Sequence, residues 1–144
     1  MNIRDNTILG LRKRFLSLPQ IIRFGVVGIF GLLAGWITYE IIYWLNPYSN
    51  LRATTSLALA WLIGVPRQHV LHRWLTFTSP SSYWSSLGRA YLSYSLGAVT
   101  SILVNFWLVE QMEINHRIGW LTSTLSGVLL NYIGLRFYAF GGNE

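Results

Sequence analysis

The chain has no cysteine. No disulfide can staple it, and thiolate metal or redox motifs are excluded, although this leaves its compartment open. Charge is also scarce. Only 11% of residues are charged, where soluble domains average about 25%, so the surface is too apolar for water. Acid is scarcer than base, with 5 Asp and Glu against 11 Lys and Arg. No G-x-S-x-G elbow and no phosphate loop is present. His69 and His72 lie three apart, but no acidic ligand lies near them in sequence, which favours structural histidines over a metal pair. The chain reads as neither an enzyme nor a holder of a metal or cofactor. The asparagines form no N-x-[ST] acceptor.

What the chain does have is long apolar runs. Phe24 to Leu45 is 22 residues with one charge, Glu40. A second apolar pattern runs from Ala53 through Arg67 and Arg73 to Phe77. Ala90 to Val109 is 20 uncharged residues, and Ile118 to Leu135 is 18 more. A spanning helix needs roughly 17–25 mostly apolar residues. The pattern predicts an all-α integral membrane protein, one membrane domain over 1–144. It has an interfacial helix at 6–18 and transmembrane helices at 21–45, 51–75, 87–112 and 118–137. The first run is too long for the roughly 7–15-residue core of a signal peptide and lacks a cleavage site, so it is expected to be retained. Ile8, Leu11, Phe15 and Leu18 recur at helical spacing beside Arg12, Lys13 and Arg14, and Pro19 should end that helix. Pro66 falls inside the second span, where it is expected to bend the helix. "NPYSN" (46–50), "TSPSSYWSS" (78–86) and "EINHR" (113–117) are read as turns and loops. Trp44, Tyr48, Trp74, Tyr83, Trp84, Trp120 and Tyr138 fall near helix ends, where amphipathic rings anchor at the interface.

The positive charge is distributed for a membrane rather than for nucleic acid. Arg4, Arg12, Lys13, Arg14, Arg23, Arg67, Arg73, Arg89 and Arg136 fall on one side of the predicted topology, and only Arg52 and Arg117 on the other. The positive-inside rule then places both termini in the cytoplasm, in a multi-pass protein of the cytoplasmic membrane.

The two halves repeat. Leu62, Gly64, Val65, Arg73 and Phe77 meet identical residues 63 positions later, at Leu125, Gly127, Val128, Arg136 and Phe140. Gln68 meets Asn131. Arg23 and Gly31 meet Arg89 and Gly97 at an offset of 66. Each half has two helices, so the four spans form two tandem two-helix repeats in parallel. Small residues share faces: Ala60 and Gly64 beside Gln68, Ser123 and Gly127 beside Asn131, Gly28, Gly31 and Gly35 on the first span, and Ser93, Gly97 and Ser101 beside Asn105 on the third. Such stripes let helices approach closely in lipid, and one set between subunits would make a homo-oligomer, with a dimer favoured.

Arginine within a span costs at least about 2.5–3.5 kcal/mol, less near an end where it can snorkel. A guanidinium at headgroup depth suits a phosphate, because its planar fork makes paired charge-assisted hydrogen bonds. Arg23, Arg67, Arg73, Arg89 and Arg136 are therefore candidate lipid-phosphate ligands. Gln68, Asn105 and Asn131 are candidate polar groups of a cavity. Glu40 is either an outer-interface residue or part of that cavity's exit.

"IIRFGVVGIFG" (21–31) and the amide-x4-Arg-x3-Phe endings at Gln68/Arg73/Phe77 and Asn131/Arg136/Phe140 resemble the GtrA-like membrane protein family over about residues 20–140. Gln68 departs from the usual asparagine, and His72 stands where a second one is common. The resemblance implies flipping of a polyprenyl-phosphate-linked monosaccharide across the membrane, for a separate glycosyltransferase that builds cell-surface polysaccharide. The substrate's phosphate suits the arginines and its sugar the amides. Two alternatives stay open: a non-transporting scaffold for a glycosyltransferase, and an exporter resembling the small multidrug-resistance proteins, with Glu40 as its acidic residue.

Overall fold

The computed structural model describes residues 3–77, 81–128 and 131, and every regular element among them is helical. Helix α1 is Ile3–Leu16 and α2 is Gln20–Leu45. Helix α3, Arg52–Leu71, runs on as a π-helical segment, His72–Phe77. Helix α4, Tyr83–Asn105, likewise runs on as Phe106–Gln111, and α5 is His116–Ser126. The α2–α3 and α4–α5 turns lie at one end of the bundle, the turn end. Helix α1, the His72–Phe77 segment and the start of α4 lie at the other, the α1 end.

Among the described residues two helices, Gln20–Leu45 and Tyr83–Gln111, are long and apolar enough to cross a membrane by length and composition. Helix α3 has comparable length, but Arg67, Gln68, His69, His72 and Arg73 crowd its second half. The fourth expected span continues beyond Ser126, and Arg136, Phe137, Tyr138 and Phe140 lie outside the described residues. Apolar side chains face outward: Ile29, Phe30, Leu33, Ile37 and Ile41 on α2 are each more than half exposed. The interior mixes apolar groups such as Phe24, Val27, Tyr39 and Trp120 with small and polar residues, of which Ser56, His69, Thr76, Ser86, Asn105 and Ser123 are fully buried. A surface this apolar marks contact with a nonpolar medium.

Helix α2 packs along α3, α3 along α4, and α4 along α5. The predicted turn at 46–50 is organised by buried Asn46. Its Nδ2 donates to Thr55 Oγ1 at 2.9 Å and Ser56 Oγ at 3.1 Å, and its Oδ1 accepts from the Tyr48 N–H at 3.1 Å. Leu51 and Glu113, at the two turns, take left-handed backbone with φ of 56° and 55°. Glu110 then caps α3 from α4, its carboxylate accepting from the Thr54 N–H at 3.3 Å and Thr54 Oγ1 at 3.1 Å. This satisfies an orphan donor of the first turn and puts a negative charge at a helix N-terminus. Asn115 caps α5, accepting from the Arg117 N–H at 3.0 Å.

Helix α3 continues through Pro66. Proline has no N–H, so the carbonyl of Leu62, four residues earlier, loses its helical partner. The Tyr91 hydroxyl of α4 donates to that carbonyl at 3.1 Å, and the Tyr91 ring meets Trp61 edge-on at 5.7 Å.

Some boundaries differ from expectation. The π segment carries the second helix to Phe77, past the expected end at 75. Helix α4 starts at Tyr83, not 87, because Ser85 and Ser86 belong to its first turn. Ser86 Oγ accepts from Arg73 at 3.0 Å and Ser85 Oγ accepts from Arg89 at 3.0 Å. A serine-rich stretch reads as loop, but serine is also at home where first-turn groups need partners. Helix α1 docks on the π segment: Arg12 lies 5.3 Å over the Trp74 ring and donates to the Trp74 carbonyl at 3.3 Å.

Candidate functional site

A cavity of about 420 Å³ opens between the two hairpins, with walls from α2, α3, α4, α5 and Asn131. Glycine makes the space. Gly25, Gly28, Gly31 and Gly35 line it from α2, and Gly64 and Gly97 from α3 and α4. Toward the turn end it is closed by Trp120, which is 4% exposed and whose ring lies 3.7 Å from where a Cβ on Gly35 would stand. Trp120 is thus not the interfacial anchor its sequence position suggests. It packs on Trp36 at 5.4 Å and Tyr39 at 6.1 Å between ring centroids.

The wall is apolar apart from a few groups, and Arg67 is the charged one. Side chains on a helix tilt toward its N-terminus, which for α3 is the turn end. The guanidinium accordingly runs away from the nearer α1 end and does not snorkel to it. One of its nitrogens lies 3.5 Å from a Cβ built on Gly64, and Nη1 donates to Thr38 Oγ1 of α2 at 3.1 Å. Thr38 gives its own proton to the Ala34 carbonyl at 2.7 Å, so its lone pairs are free for the arginine. Arg67 Nε is buried without a hydrogen-bond partner, and among the described residues no carboxylate pairs with this cation. Tyr94 and Thr124 also line the cavity, and their hydroxyl oxygens are buried and unpartnered.

The two predicted amides occupy matched places. The oxygens of Gln68 and Asn131 lie so close over Gly31 and Gly97 that a methyl on either glycine would collide with them. The glycines aligned by the repeat are therefore the seats of the aligned amides. Gln68 Nε2 donates to the Val27 carbonyl at 3.2 Å and lies 3.0 Å from His72 Nε2. The carbonyl fixes the amide's orientation, so His72 Nε2 accepts and its Nδ1 carries the proton toward Thr76 Oγ1 at 3.0 Å. Phe24 stacks on His72 at 4.8 Å. Gln68 thus spends its nitrogen on holding α2 to α3 and lines the cavity only in part.

The other candidates are dispersed. Arg73 is drawn to the start of α4: it bonds the Ser81 carbonyl and Ser86 Oγ, and His69 Nε2 joins the same Ser86 at 3.1 Å. The two histidines therefore face different partners. Arg23 is buried on the first turn of α2, and Arg89 lies on α4; neither lines the cavity. Arg136 falls outside the described residues. Asn105 is fully buried on α4, its amide 3.5 Å from where a Cβ on Gly119 of α5 would stand, with neither end hydrogen-bonded.

Glu40 lies outside the cavity, at the turn end. Arg117 grips it with both arms of its fork, Nε to Oε1 at 2.9 Å and Nη2 to Oε2 at 3.2 Å, and Trp44 Nε1 donates to Oε2 at 3.1 Å. Beside this pair Tyr39 Oη meets His116 Nδ1 at 3.3 Å, and Tyr43 stacks flat on His116 at 4.0 Å. Burial pushes the His116 imidazole below its ordinary value, with Arg117 adding and Glu40 opposing. This favours the neutral ring, whose Nδ1 can accept from Tyr39. These contacts join α2 to α5 beyond Trp120, while the cavity separates their other halves.

The sequence pointed to Arg67 by its depth. It did not reveal Thr38, Tyr94 or Thr124, because an isolated hydroxyl in an apolar run carries no periodic or charge signal. A family model described as "GtrA/DPMS, transmembrane domain" matches residues 23–140. No curated protein and no solved structure matches the chain.

Proposed function

The chain belongs to the GtrA/DPMS transmembrane-domain family, a family of membrane domains associated with lipid-linked sugar handling, and from that premise we propose that it flips a polyprenyl-phosphate-linked monosaccharide across the cytoplasmic membrane. On this reading the chain crosses the bilayer four times with both termini inside, and a separate glycosyltransferase uses the delivered sugar for surface polysaccharide.

The observation that carries the reading is Arg67. It is a guanidinium in an apolar cavity, pointed toward the bilayer middle, with a hydroxyl for company and no carboxylate among the described residues. A lone cation at that depth is costly, and a ligand phosphate compensates it with paired hydrogen bonds. The cavity opens between α2 and α5, so the prenyl tail stays in lipid while the head group sits inside. Tyr94 and Thr124 line the space for the sugar, and a turn of either side chain would bring an unpartnered hydroxyl to it. The sign of the charge speaks against a cation exporter, since Arg67 repels cationic drugs and Glu40 is occupied elsewhere.

The test is flipping of a labelled polyprenyl-phosphate sugar in proteoliposomes. Arg67→Ala is expected to slow it about tenfold or more, about 1.4 kcal/mol for each tenfold, with expression and folding unchanged. Arg67→Lys is expected to rescue in part, since lysine keeps the charge and loses the fork. Wild-type flipping in the Arg67→Ala variant would overturn the reading.

A further inference from the structure

We propose that Arg117 is a second phosphate site, at the outer end of the path, and that Glu40 holds it in reserve until the lipid phosphate displaces it. This rests on the transport reading above and adds to it a binding site and the event that opens the gate.

A head group held at Arg67 with its tail between α2 and α5 leaves to the other leaflet only if those two helices part at the turn end. Trp120 closes the cavity there. One turn further along α5 come His116 and Arg117, and the α2 residues that they touch are Tyr39, Glu40 and Tyr43. Separating the helices removes the carboxylate from Arg117. The group best able to replace it is one with the same chemistry: an anion with two oxygens at the spacing of a guanidinium fork. A phosphate ester is such an anion, and the lipid brings it along the seam. Trp44 keeps its hydrogen bond to Glu40 on α2, so the displaced carboxylate has a partner to stay with.

The exposures suit an exchange rather than a fixed strut. The Arg117 side chain is 53% exposed and Glu40 16%, so the guanidinium can be reached from outside the bundle while the carboxylate is the more sheltered partner. An exposed ion pair contributes little to stability, because solvent screens it, and yields readily to a competing anion. The exchange also orders the events of a cycle. Phosphate at Arg117 keeps the gate open, and its departure lets Glu40 return and close α2 onto α5.

The experiment uses the full chain in nanodiscs, with a short prenyl phosphate lacking sugar as the probe and inorganic phosphate as the second probe. Spin labels at Ile41 and Ile118, both exposed, report the α2–α5 separation. Glu40→Gln is expected to bind the prenyl phosphate about tenfold or more tightly and to lengthen the label distance. Arg117→Ala is expected to lengthen the distance without tighter binding, and Glu40→Gln with Arg117→Ala is expected to lose the gain. Unchanged affinity in Glu40→Gln, or a gain that survives Arg117→Ala, would overturn the proposal. So would inorganic phosphate binding at Arg117 that the prenyl phosphate does not displace, since the ligand would then be free phosphate. Prenyl phosphate binding that depends on Arg67 but not on Arg117 or Glu40 sinks this inference and leaves the transport reading standing. Binding that depends on neither arginine sinks the transport reading.

Discussion

Tyr91 shows how one residue repairs another. Pro66 deprives the Leu62 carbonyl of its helical donor, and the Tyr91 hydroxyl takes the donor's place at 3.1 Å. Hydrogen bonds between helices in membranes contribute about 0.6 kcal/mol on average and up to about 1.7 kcal/mol. Tyr91→Phe keeps the ring on Trp61 and removes only the hydroxyl, so it is expected to destabilise within that range. In a Pro66→Ala background the alanine N–H returns to Leu62 and the same change should cost little. The coupling between the two sites, read from thermal unfolding of all four variants in detergent, measures the repair. Equal costs in both backgrounds would show that Tyr91 acts otherwise.

At the scale of elements, the two hairpins share a plan and differ in closeness. A Cβ on Gly127 of the second hairpin would stand 3.0 Å from the Cα and carbonyl oxygen of Gly97. Its repeat partner Gly64 has only the flexible end of Arg67 nearby, at 3.5 Å. Gly127→Ala must push backbone apart, and such overpacking costs about 1–3 kcal/mol. Gly64→Ala has room. Aligned glycines are therefore expected to respond differently, with melting temperature clearly lowered for Gly127→Ala and nearly unchanged for Gly64→Ala. Two similar losses would mean that the hairpins pack alike. The stripes and the matching of Gln68 with Asn131 were legible in the sequence, because one-face spacing and a repeat offset are local patterns. Their seats on Gly31 and Gly97 were not, because aligning glycine with glycine and amide with amide does not say which helix face meets which. The difference in approach was not legible, since helix separation depends on every contact along the pair. The π segments were also hidden: their residues read as ordinary helix. The Glu40–Arg117 pair joins residues 77 apart in the chain and has no periodic signature, so Glu40 reads from sequence as a lone intramembrane acid.

For the molecule as a whole, charge and topology combine into a test of orientation. The α2–α3 and α4–α5 turns share one end of the bundle, and the first hairpin returns from it to the α1 end. The turn end carries Arg52 and Arg117 against Glu40, Glu110 and Glu113, a balance of 2 − 3 = −1. Its two cations are also held by protein. Arg52 donates to the Tyr48 carbonyl at 3.2 Å and lies 5.7 Å over the Tyr43 ring, while Arg117 is held by Glu40. At the α1 end Lys13 and Arg14 are exposed, available to anionic headgroups at about 1 kcal/mol each. By the positive-inside rule the α1 end is expected in the cytoplasm and both turns outside. The absence of native cysteine makes the measurement clean, because a single introduced thiol is the only one present. Cysteine at Ser49 in the first turn and at Asn115 in the second should both label with a membrane-impermeant maleimide applied outside intact cells. A cysteine beside Lys13 at Gly10, exposed on α1, should label only after the cells are opened. If Ser49 and Asn115 label from opposite sides, one of the four helices does not cross. If both label only from the cytoplasm, the molecule is inverted, and Arg117 becomes the inner phosphate site.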